Sequence, residues 1–259
     1  MLVTLEGGCR VTHMHDGEAL VQGTLRVWRQ VGRATGADAI SLAVMEFAPG
    51  MSPTIQNGDC DQILYLLNNE VSDSRSSANI DGRSYEISAD SGIYVRPKQT
   101  FAINNLSSDS VTLISSQCPD PDRAPQFIDE HPPQSAAESV SACPIVGLSD
   151  QKAQPTADRW YRVLVDERVG STQVTQFVGS IPPGRAPDHF HQYEEVLFIL
   201  KGEGRMWAGE SNTTIAAGSC IYLPKGQVHC VENTGAGELR LLGMFYPAGS
   251  PSVRYDATA

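Results

Sequence analysis

"DHFHQYEEVLFILKGEG", residues 188–204, sets His189 and His191 two apart, places Glu195 behind them, and follows with an apolar run that ends at Gly202. On a strand, residues two apart face the same way, so the two imidazoles project together. The same alternation puts Glu195, Leu197 and Ile199 on one face, a carboxylate above an apolar floor. The run "VLFIL" is apolar at both parities, as expected of a strand covered on both sides. The stretch therefore reads as a central strand of a packed β structure, with a ligand-bearing corner at its start.

Working outward, strand signals dominate. The segments 40–47, 62–67, 92–97 and 111–116 are short and rich in β-branched or aromatic residues, with Gly, Asp, Asn and Ser clusters between them. A second set lies at 174–181, 195–200, 213–218, 220–224 and 239–245. No long amphipathic helix is evident. Short strands at regular spacing predict an all-β chain of antiparallel sandwich or barrel type.

The two sets are related. "FAPG" (47–50) echoes "IPPG" (181–184), "QILYLLNNE" echoes "EVLFILKGE", and "SGIYVRPKQTFAINN" (91–105) echoes "SCIYLPKGQVHCVEN" (219–233). The echoes keep their order, with offsets of about 130 residues, which predicts a duplicated domain. Between them, the prolines, serines and acids of 119–158 read as a linker with one short helix. The expected division is 1–118, a linker at 119–156, and 157–259.

"GSCIYLPKGQVHCVEN" (218–233) supplies what the first stretch lacks. The turn at Pro224–Gly226 redirects the chain so that His229 can return toward His189 and His191. Three imidazoles and a carboxylate suit a divalent transition metal. These residues resemble the cupin superfamily. The first stretch matches its first motif (H-x-H, three residues, Glu, six residues, Gly), with the leading Gly184 one residue nearer the first histidine than usual. The second matches at Gly218, Pro224, Gly226, His229 and Asn233. The resemblance implies tandem double-stranded β-helix (jelly-roll) barrels, with His189, His191, Glu195 and His229 as metal ligands. Glu194 is the rival carboxylate, but the spacing to Gly202 favours Glu195.

In the first half, the positions of the histidine pair fall on Gln56 and Gly58, or on Ile55 and Asn57. Gln62 stands for Glu195 and Phe101 for His229. No histidine remains, so a site built from Gln56, Asp61 and Gln62 is disfavoured. That barrel is expected to be a degenerate, structural partner. His13 and His15 form a bare pair before Asp16–Gly17, without a returning histidine, and read as an exposed turn.

The function classes narrow further. Of the 259 residues, 41% are hydrophobic and 19% charged, enough apolar material for a proper core. A net charge of −11 without a basic run disfavours nucleic acid and anionic membranes. No apolar run approaches a membrane span, and the N-terminus lacks signal-peptide features, so a cytoplasmic protein is expected. The six cysteines form no C-x-x-C pair and read as reduced thiols in or near the core.

Four protein ligands leave two metal positions open, suiting Fe, Mn, Ni or Co, with zinc also admitted. One carboxylate leaves a net positive site that favours an anionic substrate, with Arg185, Arg205 and Lys225 on flanking segments and Tyr193, Trp207 and Tyr222 beside the ligands. Similarity to quercetinase-like cupins implies a dioxygenase acting on a small phenolic or enolic molecule. A redox-neutral isomerase, lyase or decarboxylase, and a non-catalytic metal-bound binding protein, are the alternatives. Homodimerisation is left open.

Overall fold

The computed structural model describes residues 2–67, 76–129, 142–156, 158–252 and 255–256. The chain is almost entirely antiparallel β structure, arranged as two jelly-roll barrels, each made of two packed sheets. The first barrel packs a seven-stranded sheet, built around Asp61–Leu66, against a six-stranded sheet built around Thr100–Asn105. The second packs an eight-stranded sheet, built around Glu194–Lys201, against a six-stranded sheet containing His189–Phe190 and His229–Asn233. Helical structure among the described residues is confined to short 3-10 turns such as Arg33–Thr35 and Glu167–Val169.

Each barrel has its own apolar interior. Phe47, Leu64, Leu66 and Ile103 fill the first; Leu197, Ile199, Met206, Ile221 and Phe245 fill the second. A third cluster joins the barrels across their larger sheets and contains Ile63, Tyr65 and Ile114 from one side and Val196, Phe198, Leu242 and Met244 from the other. This explains the double-sided run at 196–200. Leu197 and Ile199 enter the second barrel, whereas Val196 and Phe198 enter the shared cluster.

The sheets cross the expected division at both ends of the first half. Val3–Thr4 and Arg10–His13, assigned by sequence to 1–118, belong to the eight-stranded sheet of the second barrel, where Arg10–His13 pairs with Ser219–Leu223. Leu5, Cys9 and Val11 are buried in that barrel's core. Conversely, Gln126–Ile128 and Ile145–Gly147, expected to be linker, add edge strands to the two sheets of the first barrel. These strands have only two to four residues, too short for a period-2 pattern to stand out. Among the described residues of 119–158 the one helical element is the 3-10 turn Leu148–Asp150; the rest of the expected helix region, 130–141, lies outside them.

Five of the six cysteines are buried and all six are free, as expected of core thiols. Burial pushes Cys9 up to about 12 and Cys60 and Cys230 up to about 11, which keeps them protonated and unreactive. His13 and His15 are exposed, and Asp16 closes their turn by accepting from the His13 backbone N–H at 2.9 Å. His15 contacts Glu46 at 3.4 Å and packs edge-on to Trp28.

Candidate metal centre

His189 and His229 lie directly opposite each other on antiparallel neighbours, the cross-strand pairing that brings side chains into contact. Their ring centroids are 4.5 Å apart. His191 sits just past the first of these strands, with its ring 4.9 Å from His189 and 5.3 Å from His229. One nitrogen from each ring falls within 4.8 Å of the other two, a group that could hold a metal ion. Glu195 is the second residue of the next strand, on the facing sheet, and its Oε2 lies 3.7 Å from His191 Nε2. All four sequence-derived ligands line one cavity of about 120 Å³.

Backbone contacts orient the rings. His189 Nδ1 donates to the Pro187 carbonyl at 3.0 Å, and His229 Nδ1 donates to the Gln227 carbonyl at 2.8 Å, which places the lone pair of each ring on Nε2. His191 stacks on Tyr193 (4.6 Å, 9° between planes), which stacks in turn on Phe245 at 4.3 Å. The Gly226 N–H donates to the His191 carbonyl at 2.8 Å, so the turn after Pro224 is tied to the histidine corner. Gly226 adopts φ +78°, a left-handed conformation that favours glycine.

The electrostatics suit a cation. Burial, reinforced by the neighbouring His189, pushes His229 down to about 3, so its imidazole is neutral. Burial alone pushes Glu195 up to about 8. A buried carboxylate without a cation is costly, and a bound divalent ion would offset that cost. The three imidazoles, His229 neutral among them, and the Glu195 carboxyl are a donor set that fits a transition metal.

Alternation along Glu194–Lys201 separates the rival carboxylates. Glu194 turns away from the cavity and into the contact between barrels. There it accepts from the Asp38 and Ala39 backbone N–H groups at 2.8 and 2.7 Å and from the Tyr222 hydroxyl at 2.5 Å. Tyr222 is accordingly part of this contact and not of the cavity wall. Trp207 donates from Nε1 to Glu232 at 2.8 Å and carries Arg185 over its ring at 4.2 Å. Arg185 also pairs with Asp188, Arg205 bonds Asn212, and Lys225 is exposed; none of the three lines the cavity. Among the described residues the cation that does line it is Arg159, beside Trp160, Tyr161 and Phe177, with its Nε donating to the adjacent Asp158 at 3.2 Å. Sequence reading missed Arg159 because it comes from a strand with no motif around it.

At the matching place in the first barrel, the register decides between the two sequence alignments. Phe101 pairs with Ile55 as His229 pairs with His189, so Ile55 and Asn57 occupy the positions of the histidine pair. Gln62 stands for Glu195 and pairs with Val95 as Glu195 pairs with Leu223. Asn57 donates to the Cys60 and Arg96 carbonyls at 2.7 and 3.0 Å, a bracket for the backbone.

This double-barrel architecture is shared with solved structures. Residues 177–245 match the family model "Cupin domain". Over 83 residues the chain is 32% identical to auxin-binding protein 1 of Arabidopsis thaliana, covering 28% of this chain and 42% of that protein. Over 66 residues it is 35% identical to an oxalate-binding protein of Thermotoga maritima, covering 25% and 54% respectively. The chain spans about half the length of the curated relatives it matches. Among solved structures, a Bacillus subtilis oxalate decarboxylase variant superposes with a TM-score of 0.76 at 14% identity, covering 95% of this chain and 79% of that one. The formate complex of a Lactobacillus farciminis oxalate decarboxylase gives 0.73 at 13% identity, covering 93% and 87%. At such identities the superpositions establish the fold alone. No helix among the described residues is long and apolar enough to cross a membrane.

Proposed function

We propose that the second barrel is a metal-dependent catalytic centre for a small carboxylate anion, with His189, His191, Glu195 and His229 as the ligand set and redox-neutral carbon–carbon cleavage as its chemistry. The observation that carries this reading is the cavity. It joins the ligand cluster, which would be net positive with a divalent metal bound, to Arg159 within about 120 Å³. Pockets for drug-sized molecules start at about 300 Å³, so a flavonol-sized phenolic is a poor fit and a short mono- or dicarboxylate a good one. The oxalate-related names of several relatives point the same way. A divalent metal bound here supplies Lewis acidity toward a coordinating carboxylate. The chain's own part is positional: Pro187 and Gln227 carbonyls fix two imidazole tautomers, and Tyr193 fixes the plane of the third. Leu197, Val231 and Leu241 keep the walls dry, while Arg159 meets the second charged end of the substrate.

The sequence-based preference for a dioxygenase rests on the same ligand set and takes second place on cavity size. The test is turnover of oxalate, malonate and other short carboxylates by metal-loaded protein, with carbon dioxide and dissolved oxygen followed together. Carbon dioxide release that continues unchanged under argon supports the decarboxylase reading. Release that requires oxygen and consumes it stoichiometrically replaces it with the dioxygenase, and absence of stoichiometric metal removes both.

A further inference from the structure

The first barrel has lost the metal ligands but not the interior space. Its cavity, about 290 Å³, exceeds that of the metal-site barrel. Around the position of Glu195, the residues lining it are uncharged and polar. Gln62 replaces Glu195, and by sheet register Gln117 stands where Phe245 stands and Ser115 where Gly243 stands. Ser41, Gln56 and Gln126 add to the same lining, opposite an apolar side that includes Val27, Met45 and Ile55. Apolar Ile55 and Phe101 replace His189 and His229, yet the space is not closed, and the uncharged polar residues Gln62, Gln117 and Ser115 remain on its wall.

The hydrogen-bond pattern sets the ligand's chemistry. Gln62 is 4% exposed; its Nε2 donates to Ser115 Oγ at 3.0 Å, while its Oε1 accepts nothing among the described residues. Gln56 spends its Nε2 on the Lys98 carbonyl at 2.9 Å, and Gln117 spends its own on Asn57 Oδ1 at 3.3 Å. Gln56 and Gln117 turn their amide groups to the protein, so the wall offers carbonyl oxygens beside the Ser115 hydroxyl. A buried acceptor without a donor is costly, and a ligand bearing hydroxyl or N–H groups relieves that cost. An anion would meet those oxygens with like polarity. A cation would be desolvated without a carboxylate on the inner wall. At the rim, Arg29 is held by both oxygens of Asp120 at 2.6 Å, and Arg123, Asp16 and Glu18 also line the opening.

We propose that the first barrel is a metal-free binding site for a small uncharged polyol of monosaccharide size, recognised through Gln62, Gln117 and Ser115. This site is independent of the metal centre. The test is saturation-transfer NMR on the full-length, metal-loaded protein with D-xylose, D-glucose, myo-inositol and glycerol as probes and tartrate as the anionic control. At least one polyol is expected to bind. Gln62→Leu, which keeps the volume and removes both amide atoms, should weaken it about tenfold, and Ala43→Phe should abolish it by filling the cavity. Both variants should retain wild-type metal content, separating failure here from failure at the metal centre. No signal from any polyol, a signal indifferent to both substitutions, or preferential binding of tartrate overturns the proposal.

Discussion

The two barrels present the same frame with two different interiors. In the second, His189, His229 and Glu195 converge on a compact centre of metal-ligating groups; in the first, Ile55, Phe101 and Gln62 occupy the matching positions around a larger space. Outside the cavities the likeness persists. Tyr222 donates to Glu194 in one barrel, and Tyr94 donates to Asp61, the preceding-residue equivalent, at 2.5 Å in the other. Both pairs face the opposite barrel, and Tyr94 also reaches the Gly170 carbonyl at 3.4 Å. The contact between barrels has thus been kept while one ligand set has been exchanged. Inward and outward residues of a strand alternate, so each face can change without disturbing the other.

The largest effect expected on this comparison comes from erasing the centre that distinguishes the barrels. His229→Ala or Glu195→Ala should reduce bound metal from about one per chain to a small fraction, measured by elemental analysis after gel filtration, since each removes one of four ligands. Chelation of the wild type should lower stability. Metal at 100 times its Kd contributes about 2.7 kcal/mol, readable as a fall in Tm. Metal retained by a His189/His191/His229 triple alanine variant would break the assignment.

Next in size are the contacts that the barrels share. Glu194→Ala strands a buried hydroxyl and two backbone N–H groups and should cost about 3–5 kcal/mol in chemical denaturation. Tyr222→Phe removes one partner of the same carboxylate and should cost about 1–2 kcal/mol. If Glu194→Ala proves neutral, the carboxylate is not a latch between the barrels.

Arg159→Ala should raise KM for a short dicarboxylate about tenfold with a smaller change in kcat, because it removes binding at the far end of the substrate. An equal fall in kcat and kcat/KM would instead put Arg159 in the reaction itself. The smallest effect belongs to the first barrel: Gln62→Ala should leave metal content unchanged and turnover of carboxylates within a few-fold of wild type. Loss of metal in that variant would mean that the barrels are coupled beyond their shared apolar contact.

What could be read in advance follows physical reach along the chain. His189, His191 and Glu195 lie within one corner and strand, and a motif of fixed spacing records them; the turn at Pro224–Gly226 does the same for His229. The duplication was legible because strands with the same neighbours keep the same apolar pattern. Arg159 was not, because its place in the cavity depends on pairing with Thr175–Ile181 and not on local spacing. Nor was the fate of Glu194 visible. Choosing Glu195 as ligand implies only that Glu194 points elsewhere, and its partners Asp38 and Ala39 come from the other barrel. The expected division at 118 put the first strands on the wrong side, since nothing in "VT" or "RVTH" says which sheet edge they complete.

That edge has a consequence for how the molecule is made. Val11 pairs with Ile221, so the second barrel completes its larger sheet with residues synthesised before any of the first barrel. As the chain leaves the ribosome, the segment around Leu5, Cys9 and Val11 must wait, apolar and unpaired, until the strand Ser219–Leu223 emerges. Contacts so distant in sequence slow folding and expose a sticky edge meanwhile. A neighbouring nascent chain could accept the same segment, which makes exchange of the N-terminal arm between two copies the characteristic assembly error of this architecture.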